Sequence, residues 1–140
     1  MFHAIAVIAL CVAAQPQGHI AFVSGPDMAT RCVCVADVAT GAAVRVGAGQ
    51  RDANPAWSPD GLMLAFESAA GDGQGIRLVR ADGSGARTIQ HAQSWNAYPR
   101  WSPDGTRIAY SSGPFNEARI AVYDLATGAG ALRAGLSTYV

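Results

Sequence analysis

The 140-residue sequence contains no lysine and few charged residues of any kind. Arginine supplies the ten basic side chains, ten acidic side chains balance them, and charged residues make up 14% of the chain. A net charge of zero predicts neither a surface for nucleic acid nor a basic patch for anionic membranes. Half of the residues are hydrophobic, which is enough to give one domain a core.

Patterns that carry chemistry are also missing. The sequence has no Gly-x-Ser-x-Gly nucleophile motif and no glycine-rich phosphate loop, and its three histidines lack metal-ligand spacing. We therefore predict no enzyme activity, no catalytic residues, no cofactor and no metal site.

Only three cysteines are present, at positions 11, 32 and 34. On one strand, Cys32 and Cys34 would point to the same face about 6–7 Å apart, which is beyond the usual geometry of a disulfide. We interpret them as buried structural thiols.

The chain does contain a repeat. The pentapeptide Trp-Ser-Pro-Asp-Gly occurs twice, 44 residues apart, and the similarity continues without a gap from residues 53 and 97 to residues 78 and 122. A period of this length with several short strands per unit is typical of propeller blades. The repeated motif comprises Trp57, Ser58, Pro59, Asp60 and Gly61, and then Trp101, Ser102, Pro103, Asp104 and Gly105.

The motif has the composition of a tight turn between two strands. Proline presets φ, aspartate bonds to nearby backbone, and glycine accepts a positive φ at the exit. We therefore expect positive φ at Gly61 and Gly105, and burial of the tryptophan that precedes each turn. The same reasoning gives Asp60 and Asp104 a structural role rather than that of a catalytic carboxylate pair.

A third, partial copy precedes the other two. Residues 21–22 repeat the Ala-Phe pair of residues 65–66 at the same 44-residue spacing, but the Trp-Ser-Pro-Asp-Gly strand is missing. The sequence predicts an all-β chain that forms a partial β-propeller of about three four-stranded blades, the first of them incomplete. The predicted strands are 20–24, 32–37, 43–46, 54–58, 62–68, 76–81, 86–90, 97–102, 107–112, 119–125 and 130–133.

These repeats resemble the TolB-type (WD40-like) β-propeller repeat family. The resemblance rests on the two Trp-Ser-Pro-Asp-Gly motifs, each followed by an Ile/Leu-Ala-Phe/Tyr strand and a strand that ends in Asp-Gly or Thr-Gly, and it covers about residues 18–136. It implies a non-enzymatic module for protein–protein interaction, since TolB itself resembles a docking platform for other envelope proteins. Similar repeats also form the non-catalytic propeller of prolyl oligopeptidase-like and tricorn-like serine peptidases, so a detached or truncated peptidase propeller is the alternative.

The N-terminus has the features of an exported protein. Residues 4–13 form an apolar run, and residues 12–14 are small residues before a cut at Gln15, which predicts a signal peptide over residues 1–14. The alternative is a hydrophobic strand of the first blade. We expect repeats over residues 15–140, with blades at about 18–50, 51–93 and 94–136, a periplasmic or secreted location, and no membrane insertion after the signal is removed.

Two expectations concern partners. An incomplete ring should expose sheet faces and edges, so we expect it to bind other envelope proteins or a second copy of itself. In the second case, residues 136–140 of each chain would complete the first blade of the other in a six-bladed ring, whereas a truncated gene would give a poorly soluble monomer. Trp95 and Tyr98, near Arg100, are expected to pack inside the blade rather than stack on a partner.

Overall fold

The computed structural model describes residues 18–48, 51–69, 74–89, 95–114 and 116–132. The predicted signal peptide and the predicted terminal strand, residues 136–140, lie outside these ranges. The described segments contain strands and turns and no helix. None of them, accordingly, forms a helix of the length and apolar character that crossing a membrane requires.

The strand prediction is confirmed, because each observed strand begins and ends within one residue of its predicted position. Strong turn residues lie between the strands, and turn chemistry is local enough to be recognised from sequence. The strands are β1 (His19–Ser24), β2 (Cys32–Asp37), β3 (Ala43–Arg45), β4 (Ala53–Trp57), β5 (Met63–Ser68), β6 (Gly75–Arg80), β7 (Arg87–Ile89), β8 (Asn96–Trp101), β9 (Arg107–Ser112), β10 (Arg119–Asp124) and β11 (Gly130–Leu132).

The strands form three antiparallel sheets that follow one another along the chain. The first sheet has the order β1-β2-β3, the second β4-β5-β6-β7, and the third β8-β9-β10-β11. The first sheet therefore lacks, within the described residues, the strand that corresponds to β4 and β8. This is the strand whose motif is missing from the first sequence copy.

Two apolar cores lie between successive sheets. Strand β5 contributes to both, because alternate side chains point to opposite faces: Leu64 and Phe66 face the first sheet, and Ala65 faces the third. The core between the first and second sheets contains Ala21, Val23, Val33, Val35, Val46, Trp57, Leu64, Phe66 and Val79. The core between the second and third sheets contains Ala65, Ile76, Leu78, Ile89, Ile108, Tyr110 and Ala121.

Both repeated motifs form the predicted turns. Gly61 and Gly105 have φ of 72° and 70°, and each donates its N–H at 2.9 Å to the carbonyl of the serine three residues earlier. The aspartate Oδ1 of each turn accepts hydrogen bonds from the Ser58 or Ser102 hydroxyl and from a backbone N–H at 3.0 Å. The two turns connect equivalent strands of neighbouring sheets, and Gly105 lies beside Pro59. They therefore lie at the same end of the sheets, which we call the turn end.

The two motif tryptophans differ in burial. Trp57 is 5% exposed inside the first core, as expected. Trp101 is only half-buried, so the expectation holds for it in part. Its ring packs against the second core, and its Nε1–H donates at 3.0 Å to the carbonyl of Ala56 in the neighbouring sheet. This hydrogen bond holds the N–H edge of the indole ring at the boundary of the second core.

The cysteines lie on the side of the first sheet that faces away from the second. Cys32 is buried, Cys34 is half-buried, and both are free thiols. Their sulfurs are 3.6 Å apart, closer than the strand spacing predicts, because the two side chains converge above one face. Burial, followed by the neighbouring Cys32, raises the pKa of the Cys34 thiol to about 11. The Cys34 thiol is therefore protonated at neutral pH, which makes it a poor nucleophile.

Replacing Gly105 tests the turn geometry. A Cβ at this position would meet only Pro59 Cδ at 3.6 Å, an ordinary contact, so the cost of a side chain comes from the positive φ alone. We expect Gly105→Val to lower the free energy of unfolding by about 1–2 kcal/mol. Gly105→Asn is the matched control and should lose clearly less, because asparagine tolerates this conformation. Equal losses in chemical denaturation would contradict the assignment.

Candidate interaction surface

Strands β4 and β8 are the edge strands of their sheets and lie beside each other. Strand β8 also contacts β5 and β6 of the second sheet, so it packs across the junction between the second and third sheets. A parallel bridge between Gln74 and Trp95 extends this junction beyond the strand. The free edge of β8 is consequently the place where the third sheet ends and the junction meets solvent.

Each edge strand is interrupted by a bulge. The pairing register shifts between Ala53 and Ala56 in β4, and between Ala97 and Arg100 in β8. Asn54 and Tyr98, at equivalent positions in the two bulges, have φ of 48° and 55°. A positive φ is uncommon for a residue other than glycine, and for a bulky tyrosine it is a strained conformation that costs about 1–3 kcal/mol.

The sequence analysis did not identify these bulges, although a signal was present. A proline follows each of the two strained residues, at positions 55 and 99. Proline inside a strand is confined to edges and bulges because it has no N–H for the ladder. The repeated prolines could therefore have located both irregularities.

A buried carboxylate holds the second bulge in place. Glu67, at the end of β5, is 4% exposed. Its Oε1 accepts the backbone N–H of Tyr98 at 2.8 Å and a hydrogen bond from the Asn54 amide, and its Oε2 accepts the Gln74 amide at 2.8 Å. One carboxylate thus joins both bulges across two sheets. Because charge-assisted hydrogen bonds are strong, this network offsets part of the backbone strain at Tyr98.

Other buried polar side chains lie at the same end of the sheets as Glu67. This end is opposite to the turn end, and we call it the loop end. They lie where β5 and β9 finish and where β4 and β8 begin. Buried polar groups are costly unless they are bonded. Glu67 and Asn96 make hydrogen bonds, whereas the Ser68 and Ser112 hydroxyls have no hydrogen-bond partner in the described part of the chain. The set consists of Asp52, Glu67, Ser68, Asn96 and Ser112.

Two aromatic side chains are exposed beside this network. Trp95 is 45% exposed and Tyr98 is 58% exposed, so the expectation that they pack inside the blade is wrong. The physical reason is the bulge, which interrupts the pairing of β8 with β9 at the edge strand of the third sheet. Arg100, on the same strand, is also exposed, and its Nη1 donates to the carbonyl of Pro99 at 2.8 Å. We call Trp95, Tyr98 and Arg100 the aromatic edge.

The other candidate groups lie apart from one another. Asp60 and Asp104 serve the separate turns described above, at the opposite end of the sheets from Trp95. Across the described ranges, histidine, cysteine, aspartate and glutamate form no group of three that could hold a metal ion. The aromatic edge offers stacking surface and hydrogen-bond donors, which suit recognition of another molecule.

Comparison with known proteins identifies the fold. The sequence matches no protein-family model and no curated protein. Among solved structures, one assigned as TolB from Agrobacterium tumefaciens aligns with a TM-score of 0.70 and 23% identity over 82% of this chain and 44% of that one. The β-propeller domain of the trilobed protease from Pyrococcus furiosus aligns with a TM-score of 0.66 and 12% identity over 88% of this chain and 42% of that one.

The chain has the fold of a partial β-propeller, similar to that of the TolB structure. Its three sheets are successive blades, which confirms the predicted fold class. Acylaminoacyl peptidase from Pyrococcus horikoshii also aligns, with a TM-score of 0.64 and 13% identity, over 89% of this chain and 25% of that one. The chain spans less than half the length of each of these three structures.

Replacing Glu67 tests the network that supports the aromatic edge. Glu67→Ala leaves the Tyr98 N–H and the Asn54 and Gln74 amides without their acceptor, so the free energy of unfolding should fall by at least about 2 kcal/mol. Ser111→Ala, at the equivalent position 44 residues later, is the matched control and should change it by less than about 0.5 kcal/mol. If chemical denaturation gives similar changes in the free energy of unfolding for the two variants, the hydrogen bonds of Glu67 do not stabilise the fold and the prediction is contradicted.

The aspartates of the two turns should make the stability of the fold depend on pH in the acid range. Hydrogen bonds from Ser102 and then Thr106 lower the pKa of Asp104 to about 2. A lowered pKa in the folded state stabilises the fold above the ordinary pKa of aspartate, and this contribution disappears as the pH falls towards 2. The melting temperature of the wild type should therefore fall more steeply between about pH 4 and pH 2 than that of Asp104→Asn. In Ser102→Ala, NMR titration should show a higher pKa for Asp104, and an unchanged pKa would contradict this origin.

Proposed function

We propose that the chain is a non-enzymatic propeller module that binds another protein through the aromatic edge. The observation that carries this proposal is the exposure of Trp95 and Tyr98 beside a buried carboxylate that fixes the backbone between two blades. Tryptophan, tyrosine and arginine are the residues most enriched at the energetic centres of protein interfaces. All three types occur here within six consecutive residues, 95–100, at the start of and within one edge strand.

The geometry of the edge suits a protein partner. Tyr98 is held by its backbone N–H rather than by its ring, so the ring remains free to make contacts. A surface that is already ordered loses less entropy when it binds.

Export is part of the proposal. It rests on the apolar N-terminal run of residues 4–13, and it places the protein in the periplasm or outside the cell, where its partners would be other envelope proteins. Expression with a C-terminal reporter that is active only outside the cytoplasm tests this. Loss of the reporter signal after deletion of residues 1–14 is expected, and an unchanged signal would contradict export.

A second function is favoured by the peptidase propellers among the similar structures. The chain would then be the propeller part of a serine peptidase whose catalytic domain lies elsewhere. Reading the gene in frame beyond Val140 separates the two proposals. A following α/β-hydrolase domain supports the peptidase, and further repeats support the interaction module.

The binding proposal predicts which side chains a partner needs. Tagged protein, cross-linked in an envelope extract of its own organism, should capture a defined protein, and the double variant Trp95→Ala with Tyr98→Ala should reduce this capture at least about 10-fold. The control replaces Val38 and Leu62, which are 59% and 62% exposed at the turn end. Equal capture by both double variants would contradict the aromatic edge as the binding surface.

A further inference from the structure

Each sheet presents two different apolar faces, and the two faces fit each other. We call the face towards the next sheet the leading face and the opposite one the trailing face. In the second sheet the leading face carries Ala65, Ile76 and Leu78, and the trailing face carries Leu64, Phe66 and Val79. All six side chains are 0% exposed, because each face is covered by a neighbouring sheet.

The same pairing of faces occurs twice inside the molecule. The leading face of the first sheet, formed by Ala21, Val33 and Val35, packs on the trailing face of the second. The leading face of the second sheet packs in turn on Ile108 and Tyr110, which belong to the trailing face of the third. A leading face therefore meets a trailing face at both junctions, and the chain uses one kind of contact repeatedly.

The two end faces of the stack repeat this chemistry without a described sheet to cover them. The leading face of the third sheet carries Ala109, Ile120 and Val122, which correspond to Ala65, Ile76 and Leu78. Ile120 is 46% exposed, whereas its counterpart Ile76 is fully buried.

At the other end, the trailing face of the first sheet carries Ile20, Phe22 and Ala36. These residues correspond to Leu64, Phe66 and Val79 in the second sheet. Ile20 is 41% exposed, whereas Leu64 is fully buried. The two ends therefore show one face of each kind.

We infer that a second copy of this chain covers both ends. The leading face of each copy's third sheet packs on the trailing face of the other copy's first sheet, in the way the second sheet packs on the third. Two copies bring six sheets together, and the two equivalent contacts close a ring without an exposed leading or trailing face. Apolar strand faces left open to water favour association, which the ring satisfies. This inference rests on the fold and not on the aromatic edge.

Charged substitutions at the two exposed isoleucines test the contact. Ile120→Asp and Ile20→Asp each place a carboxylate in both contacts of the ring, so each should raise the dissociation constant of the dimer at least about 100-fold in sedimentation experiments. Leu62→Asp, at the exposed turn end, is the control and should remain a dimer. Because Ile120 and Ile20 are already partly exposed, the folded monomer should tolerate the change. If circular dichroism shows that either aspartate variant is unfolded, the milder substitutions Ile120→Ser and Ile20→Ser are used in the same experiment.

Mixing the two variants distinguishes this arrangement from other modes of association. In an equimolar mixture, one contact of the mixed dimer carries both aspartates and the other carries none. The mixture should therefore form dimers that neither variant forms alone. A contact between two identical faces would instead respond to only one of the substitutions and show no recovery on mixing, which would overturn the inference. A wild-type protein that stays monomeric at all concentrations, or one that forms filaments, would also overturn it.

Discussion

Burial of apolar sheet faces against neighbouring sheets is the constraint on which the rest of this structure depends. In the second sheet, Phe66 points one way and Ile76 the other, and both are fully buried. Each such side chain stabilises the fold by about 1.5–3 kcal/mol, but only while a neighbouring sheet covers it. A sheet of this composition has no stable existence alone, and its strands, turns and repeats are arranged to give it neighbours.

The turns serve this constraint by fixing register. A shift of one residue along β5 would exchange Leu64 with Ala65 and turn every side chain to the wrong core. The Ser-Pro-Asp-Gly turn before β5 prevents such a shift with several hydrogen bonds inside the six residues 58–63. Because this chemistry is local, the strand bounds and the positive φ at Gly61 and Gly105 could be predicted from the sequence. The spacing of the two copies then predicted the sheets.

The candidate site was less predictable because its contacts are distant in sequence. Glu67 binds partners that are 13, 7 and 31 residues away, and they come from two sheets. No local pattern connects Glu67 with Tyr98, so the hydrogen bond between them could not be predicted from the sequence. The exposure of Trp95 and Tyr98 was predicted wrongly for a related reason. Aromatic residues near a strand usually pack, and only the position of β8 at the edge of its sheet leaves these two in solvent.

Glu67 also marks the point where the repeat departs from itself. The equivalent residue is Ser111 in the third sheet and Val23 in the first, so the network exists at one junction of the described chain. The cores need only apolar side chains, and every junction supplies them without a carboxylate. A buried acid that supports a strained tyrosine adds nothing that the repeated packing requires. In a fold built from equivalent units, such an exception is where a specific function can be placed without disturbing the scaffold.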